Sequence, residues 1–504
     1  MYLEEYQRFD AMGLAALVRR GEVSREELLK AAIEAIECFN PSLHAVVRTR
    51  FERARRESAA VSEKSCFTGV PTLAKDLLMA LAGEPLASGS AALKGVVAKE
   101  DSPIITRARQ AGLVILGQSA TPEFGLMAIT EPRAFAHPQN PWRLGHSPGG
   151  SSGGAAAAVA GGIVPLALAG DGGGSIRIPA SYCGLFGFKP SRGRVPLAPS
   201  QGEVWQGAVV EHAITRSVRD SAALLEQING SVAASPYPVA RETGYLAALE
   251  QDPKPLRVAL SLGEPLSRGL SGALDPAVKA AVEKVGLELV ASGHTVAWAD
   301  PPVEGETLAE SYLTLYLGQM AAELDSLSRE TATAFRRLAI ESTTRAIGRL
   351  GGALDARRYE LARREWSQAG ARMGAFHERF DVLVLPVATS TAPGIGELYP
   401  SPARERLMAL LALPGMSRLA LKFGLLKHFA ADALARTPFT QLANLTGQPA
   451  MSLPLHLSQG LPVGVQVIGR MGEDKRLFQL AAALERRLGF TALPSSQALK
   501  APAG

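Results

Sequence analysis

Residues 145–196 read GHSPGGSSGGAAAAVAGGIVPLALAGDGGGSIRIPASYCGLFGFKPSRGRVP. Two glycine–serine clusters flank a small-residue helix expected over Gly153–Ala160 and an apolar strand expected over Val164–Ala169. Glycine costs roughly 1 kcal/mol against alanine in regular structure. So dense a set therefore marks turns at positive φ, or backbone that must approach something closely. Strand, turn and helix succeed one another here and along most of the chain, which places the protein in the α/β class.

Upstream, Ser24 and Glu27 form a capping box, and Leu28, Leu29, Ala32, Ile33 and Ile36 follow at helical spacing. GVPTLAKDLLM (69–79) and LVILG (113–117) read as strands. Downstream, 229–255 reads as a proline-rich surface connection and LRVALSL (256–262) as a strand. Residues 277–292 read as a helix with Val278, Ala281, Val282, Val285, Leu287 and Leu289 inward. Residues 303–380 are mostly helical, DARRYELARREW (355–366) being a solvated face, and FDVLVLPVA (380–388) is a buried strand. Loops and weak helices fill 394–436, strand-like text returns over 439–455 and 461–469, and a helix from Lys475 to Leu488 closes the pattern.

The 504 residues are 47% hydrophobic and 20% charged, which favours a globular chain over a disordered one. A net charge of +5 spread over this length, with no long basic run, argues against a nucleic-acid partner or a polybasic membrane anchor. Three cysteines (Cys38, Cys66, Cys183) without paired spacing oppose a disulfide scaffold or a zinc ribbon. The acidic start lacks an apolar signal core, and the apolar stretch 155–169 is too short and too rich in Ala and Gly to span a bilayer. A cytoplasmic location is the expectation.

Amide cleavage needs a nucleophile, a proton carrier and donors for an oxyanion. Ser175 follows Gly172, Gly173 and Gly174, whose N–H groups, with that of Ser175, suit an oxyanion hole. Taken alone GGGS is a plain turn. Ser151 in GGSSG is as readily a helix N-cap, with Ser152 an equal candidate. Lys75 interrupts an apolar run; it is either a solvated strand end or a buried lysine whose pKa falls far enough to make it a base. Asp171 and Arg177 suit a structural ion pair. The eight histidines do not cluster around these residues, His146 being the nearest in sequence.

Together these segments resemble the amidase signature family. The interval between the two serines (175 − 151 = 24) is the family's, and GVPTLAKDL is similar to its lysine segment. TPEFG (121–125), NPW (140–142), TRSVRD (215–220), FDVLVLP (380–386), NLTGQPAMSLP (444–454) and GLPVGVQVIGR (460–470) extend the likeness over most of the chain. The resemblance implies one large domain over 1–504 with a mixed β-sheet core flanked by helices. Its shared core would cover about 60–225 and 439–490, and a variable specificity region about 300–435.

It also implies a Ser–Ser–Lys triad without metal or cofactor: Ser175 acylated, Ser151 behind a cis peptide relaying protons, and Lys75 as base. Phe124, Gly125, Leu126 and Met127 would line the acyl pocket and favour a neutral small-molecule amide, linear or cyclic. A homodimer is compatible with it. Gly170 departs from the pattern, since many members carry a hydroxyl residue there. TEPRAFAHPQNPWRLGHSPGGSSGG and IGELYP (395–400) look most like the 6-aminohexanoate cyclic-dimer hydrolase branch.

Three other readings compete. The ammonia-releasing component of a glutamine-dependent amidotransferase would share the signature. Gly149–Gly153 also satisfies G-x-S-x-G, which would make Ser151 the nucleophile of an α/β-hydrolase-type esterase, with Asp381 and His428 as partners. A phosphate- or nucleotide-binding module is disfavoured, because no lysine follows either glycine cluster at the P-loop position.

Overall fold

A computed structural model describes residues 1–198, 201–266, 274–399, 401–411, 413, 415–422, 434–494 and 499. Eleven strands are described: β1 (Val46–Thr49), β2 (Pro71–Lys75), β3 (Val114–Ser119), β4 (Leu166–Asp171), β5 (Phe186–Lys189), β6 (Val210–Thr215), β7 (Arg257–Leu260), β8 (Thr295–Trp298), β9 (Val382–Pro386), β10 (Ala450–Ser458) and β11 (Leu461–Gly469). The larger sheet runs β4-β6-β5-β10-β11-β9-β7-β8. Its pairs are antiparallel from β4 through β9 and parallel across β9, β7 and β8, so the sheet is mixed. A smaller sheet, β1-β3-β2, lies against it, and Thr72 Oγ1 on β2 donates to the Leu166 carbonyl on β4 at 3.0 Å.

The apolar runs are explained by burial on both faces of the sheet. Along β9, Val382 and Val384 join one core, while Leu383 and Leu385 join the other. The helices Arg25–Leu43, Val218–Ile228, Pro276–Ala291 and Asp474–Leu488 cover the first face. Gly305–Glu330, Ser342–Gly351 and Ala356–Arg379 cover the second. Arg25–Leu43 opens with the expected capping box: Glu27 N–H donates to Ser24 Oγ at 3.1 Å and Ser24 N–H to Glu27 Oε2 at 2.8 Å.

The helix Gly153–Ala160 is buried on every side. A Cβ on Gly154 would sit 2.2 Å from Ala120 N and 2.6 Å from the Ala45 carbonyl, so the small residues let this helix press directly on backbone. The structure corrects two readings. Leu287 is 73% exposed: the buried stripe runs 278, 281, 282, 285 and 289, and position 287 falls on the opposite side of the helix. Residues 439–449 are not strand. Gln441–Thr446 forms a helix closed by Gly447 at φ +82°, and β10 starts only at Ala450.

Candidate active site

Strand β2 ends at Lys75, and that end is buried rather than solvated. Lys75 Nζ lies 2.7 Å from Ser151 Oγ. Desolvation pulls the amine from 10.5 down to about 7, against the pull of Asp171 and Glu211. The Gly150–Ser151 peptide is cis. Ser151 is not a helix cap: Ser152 holds the N-cap position, and its own hydroxyl donates to the Gly170 carbonyl at 3.2 Å instead of capping. The two serine segments are joined where Ser152 N–H donates to the Ser175 carbonyl at 3.3 Å.

Behind the Gly172–Ser175 turn lies a buried polar clamp. Arg177 and Asp171 are both fully buried and paired at 2.9 Å. Arg177 Nε donates to Asp171 at 3.0 Å, and its Nη1 reaches the Thr440 carbonyl at 2.7 Å and Gln466 Oε1. Asn444 Nδ2 donates to the Asp171 carboxylate at 2.9 Å and to the Ala208 carbonyl at 3.0 Å. Burial alone would raise Asp171, but the Arg177 charge and these donors outweigh it and hold the carboxyl well below the usual range.

Gly174 N–H also donates to Asp171, at 2.8 Å. Of the four nominated oxyanion donors it is therefore already engaged, while Gly172, Gly173 and Ser175 line the open cavity. Sequence reasoning missed Thr440, Asn444 and Gln466, whose bonds with Arg177 each span more than 260 residues.

That cavity has a volume of about 1120 Å³ and is lined by Lys75, Ser151 and Ser175 together with Phe124, Gly125, Leu126 and Met127. Gly125 has φ +70°, and a Cβ there would lie 3.2 Å from Ser151 Oγ. Residues between 312 and 350, others between 389 and 408, and 434–437 complete the lining. Trp205, Tyr312 and Tyr316 form an aromatic face, with Trp205 centroids 4.9 and 5.5 Å from the two tyrosines. Tyr316 Oη donates to the Leu126 carbonyl at 2.8 Å, tying this wall to the Phe124–Met127 segment.

Asp381, one of the residues of the esterase reading, stands outside the cavity lining. It is bound to Arg257, at 3.1 Å; His428 lies outside the described residues. Among the described residues no group of three His, Cys, Asp or Glu is placed to hold a metal, and no helix is long and apolar enough to cross a membrane.

The amidase family model matches residues 27–478. The chain belongs to the amidase family. It is an amide hydrolase of the Ser–cisSer–Lys type. It is 37% identical over 502 residues to a 6-aminohexanoate-cyclic-dimer hydrolase of Pseudomonas sp., covering 96% of this chain and 95% of the relative. A solved 6-aminohexanoate cyclic dimer hydrolase with bound substrate superposes with a TM-score of 0.86 at 34% identity, covering 97% of this chain and 99% of that one. A bacterial aryl acylamidase of the amidase signature family follows at TM-score 0.81 and 26% identity, covering 97% of each.

Proposed function

We propose that this amidase hydrolyses neutral amides with aliphatic or aromatic acyl groups, the cyclic dimer of 6-aminohexanoate and simple aryl amides being the first to try. The observation that carries this is the wall of Trp205, Tyr312 and Tyr316 lining the same cavity as Ser175. An acidic or α-amino acid amide needs a fixed counter-charge. Lys75 is engaged with Ser151, Arg436 is paired with Glu397, and Lys99, Glu100, Glu323 and Glu330 are exposed. The likeness to the cyclic-dimer hydrolases points the same way.

In this reading Ser175 Oγ attacks the carbonyl, Ser151 takes its proton, and Ser151 in turn passes a proton to Lys75. With an amine near 7, much of Lys75 is the free base at neutral pH. Gly172, Gly173 and Ser175 N–H groups receive the oxyanion, each such donor being worth about 3 to 4 kcal/mol in the transition state. The same path run backwards protonates the departing nitrogen, and water then releases the acyl group. Turnover of the cyclic dimer, 4-nitroacetanilide and glutamine should be compared on the purified protein. Glutamine as the best of the three would overturn the assignment.

A further inference from the structure

Glu211 stands on β6 directly across from Gly170 on β4, and it has no part in the mechanism above. Its side chain is 1% exposed, and neither carboxylate oxygen has a hydrogen-bond partner. A buried carboxylate without donors is costly, so it is either protonated or opposed by a cation. Burial pushes its pKa up to about 8 against the pull of Lys75, the cation that acts on it. β2 and β4 are tied by Thr72 and Leu166, and β4 pairs with β6, so the lysine strand and the glutamate strand flank the strand of Gly170. A Cβ on Gly170 would meet only the Val210 carbonyl, at 3.8 Å. The two groups thus act on each other past a bare glycine.

The other groups around the pair are already committed or neutral. Asp171, the second anion acting on Lys75, is matched by Arg177 and Asn444. Tyr312 is a half-buried phenol that desolvation holds un-ionised. His212, the next residue of β6, packs edge-on against Phe188 and is held neutral by burial, at about 4. Ser119, in register with Lys75 on β3, offers a hydroxyl with no partner.

We propose that Glu211 is a positioning residue whose carboxylate is the counter-charge for the Lys75 ammonium formed during acylation. The inference rests on Lys75 being the base. When Ser175 attacks, its proton moves to Ser151 Oγ as the Ser151 proton moves to Lys75 Nζ. A lone ammonium would then sit in a dry pocket; once the pH is high enough for Glu211 to ionise, near 8, the pair is neutral instead. On collapse the proton returns along the same path to the leaving nitrogen, and Glu211 neither gains nor loses a bond.

The test is the rate of Ser175 labelling by a fluorophosphonate, followed against pH, because it needs no knowledge of the natural substrate. Wild type, Glu211→Gln, Glu211→Met and Lys75→Ala are compared, with peptide mass mapping of the label. Removing an anion destabilises the ammonium, so Lys75 should stay a free amine to lower pH. The acid limb should move down by at least about one pH unit, and the plateau should fall by about tenfold or more.

A role in packing alone would move the melting temperature and leave the limb in place. Folded Glu211 variants with the wild-type limb and plateau overturn the proposal. Glu211→Met guards against misfolding of the Gln variant, since apolar replacement of buried charge is often neutral or stabilising. Wild-type labelling by Lys75→Ala, or label on another residue, would instead refute the assignment of Lys75 or Ser175. An inactive Lys75→Ala beside unaffected Glu211 variants would refute the counter-charge alone.

Discussion

Lys75→Met should make the protein more stable at neutral pH while removing amide turnover. Burial pulls this lysine from 10.5 to about 7, so the unfolded chain binds a proton that the folded chain gives up. Stability therefore rises with pH between those two values, and the penalty is fully present below about pH 7. At roughly 1.4 kcal/mol per pH unit the penalty is of the order of 4 to 5 kcal/mol. Methionine fills a similar volume without it. Against this stands the lost 2.7 Å contact with Ser151, about 1 to 2 kcal/mol for a buried hydroxyl left unpaired. The net gain should be about 2 to 4 kcal/mol at pH 7. Near pH 10 the penalty has almost vanished, so the variant should become the less stable of the two. Urea midpoints of both proteins at the two pH values measure this directly. A variant less stable than wild type at pH 7, or one whose advantage does not shrink with pH, would refute the claim that the lysine is held neutral by burial.

Ser151→Ala should lower amide kcat by at least about 100-fold, the lower range for general acid–base assistance, with a smaller loss than Ser175→Ala. Unchanged kcat with a lowered Tm would leave Ser151 a structural residue only. Arg177→Ala strands the Asp171 carboxylate in a fully buried site and should cost about 3 to 5 kcal/mol by equilibrium unfolding; a loss under about 1 kcal/mol would show that the clamp is dispensable. Gly125→Ala places a methyl 2.6 Å from Leu77 Cδ2 and 3.2 Å from Ser151 Oγ at a positive φ. It should reduce kcat more than it raises KM, and steady-state kinetics with wild-type values would contradict that crowding.

The fold class is readable because the glycine clusters and apolar runs have local causes, and strands such as 380–388 carry their two-sided burial in their composition. The error at 439–449 has a local cause as well: the apolar and amide text of FTQLANLTG suits a strand, and its helix is held by Asn444 and Thr440 bonding to a distant turn. Glu211 is readable in principle. It interrupts VVEHAIT as Lys75 interrupts TLAKDLL, and an ionisable residue inside an apolar strand is the same signal in both places. The engagement of Gly174 with Asp171 is not, since which N–H faces the cavity depends on backbone torsions that glycine leaves free.

The clamp behind Ser175 also sets when activity can first exist in the life of the molecule. Arg177 is bonded by Thr440, Asn444 and Gln466, and β10 and β11 occupy the middle of the large sheet. A chain emerging from the ribosome carries both serines and the lysine long before these residues appear. Until position 466 is in place, the arginine lacks part of its cage, and the sheet has two open edges where its centre will be. Such distant closures are slow to form. A half-made enzyme should therefore be unable to hydrolyse amides during its own synthesis, and a protein cut anywhere before β10 should lose its chemistry together with its fold.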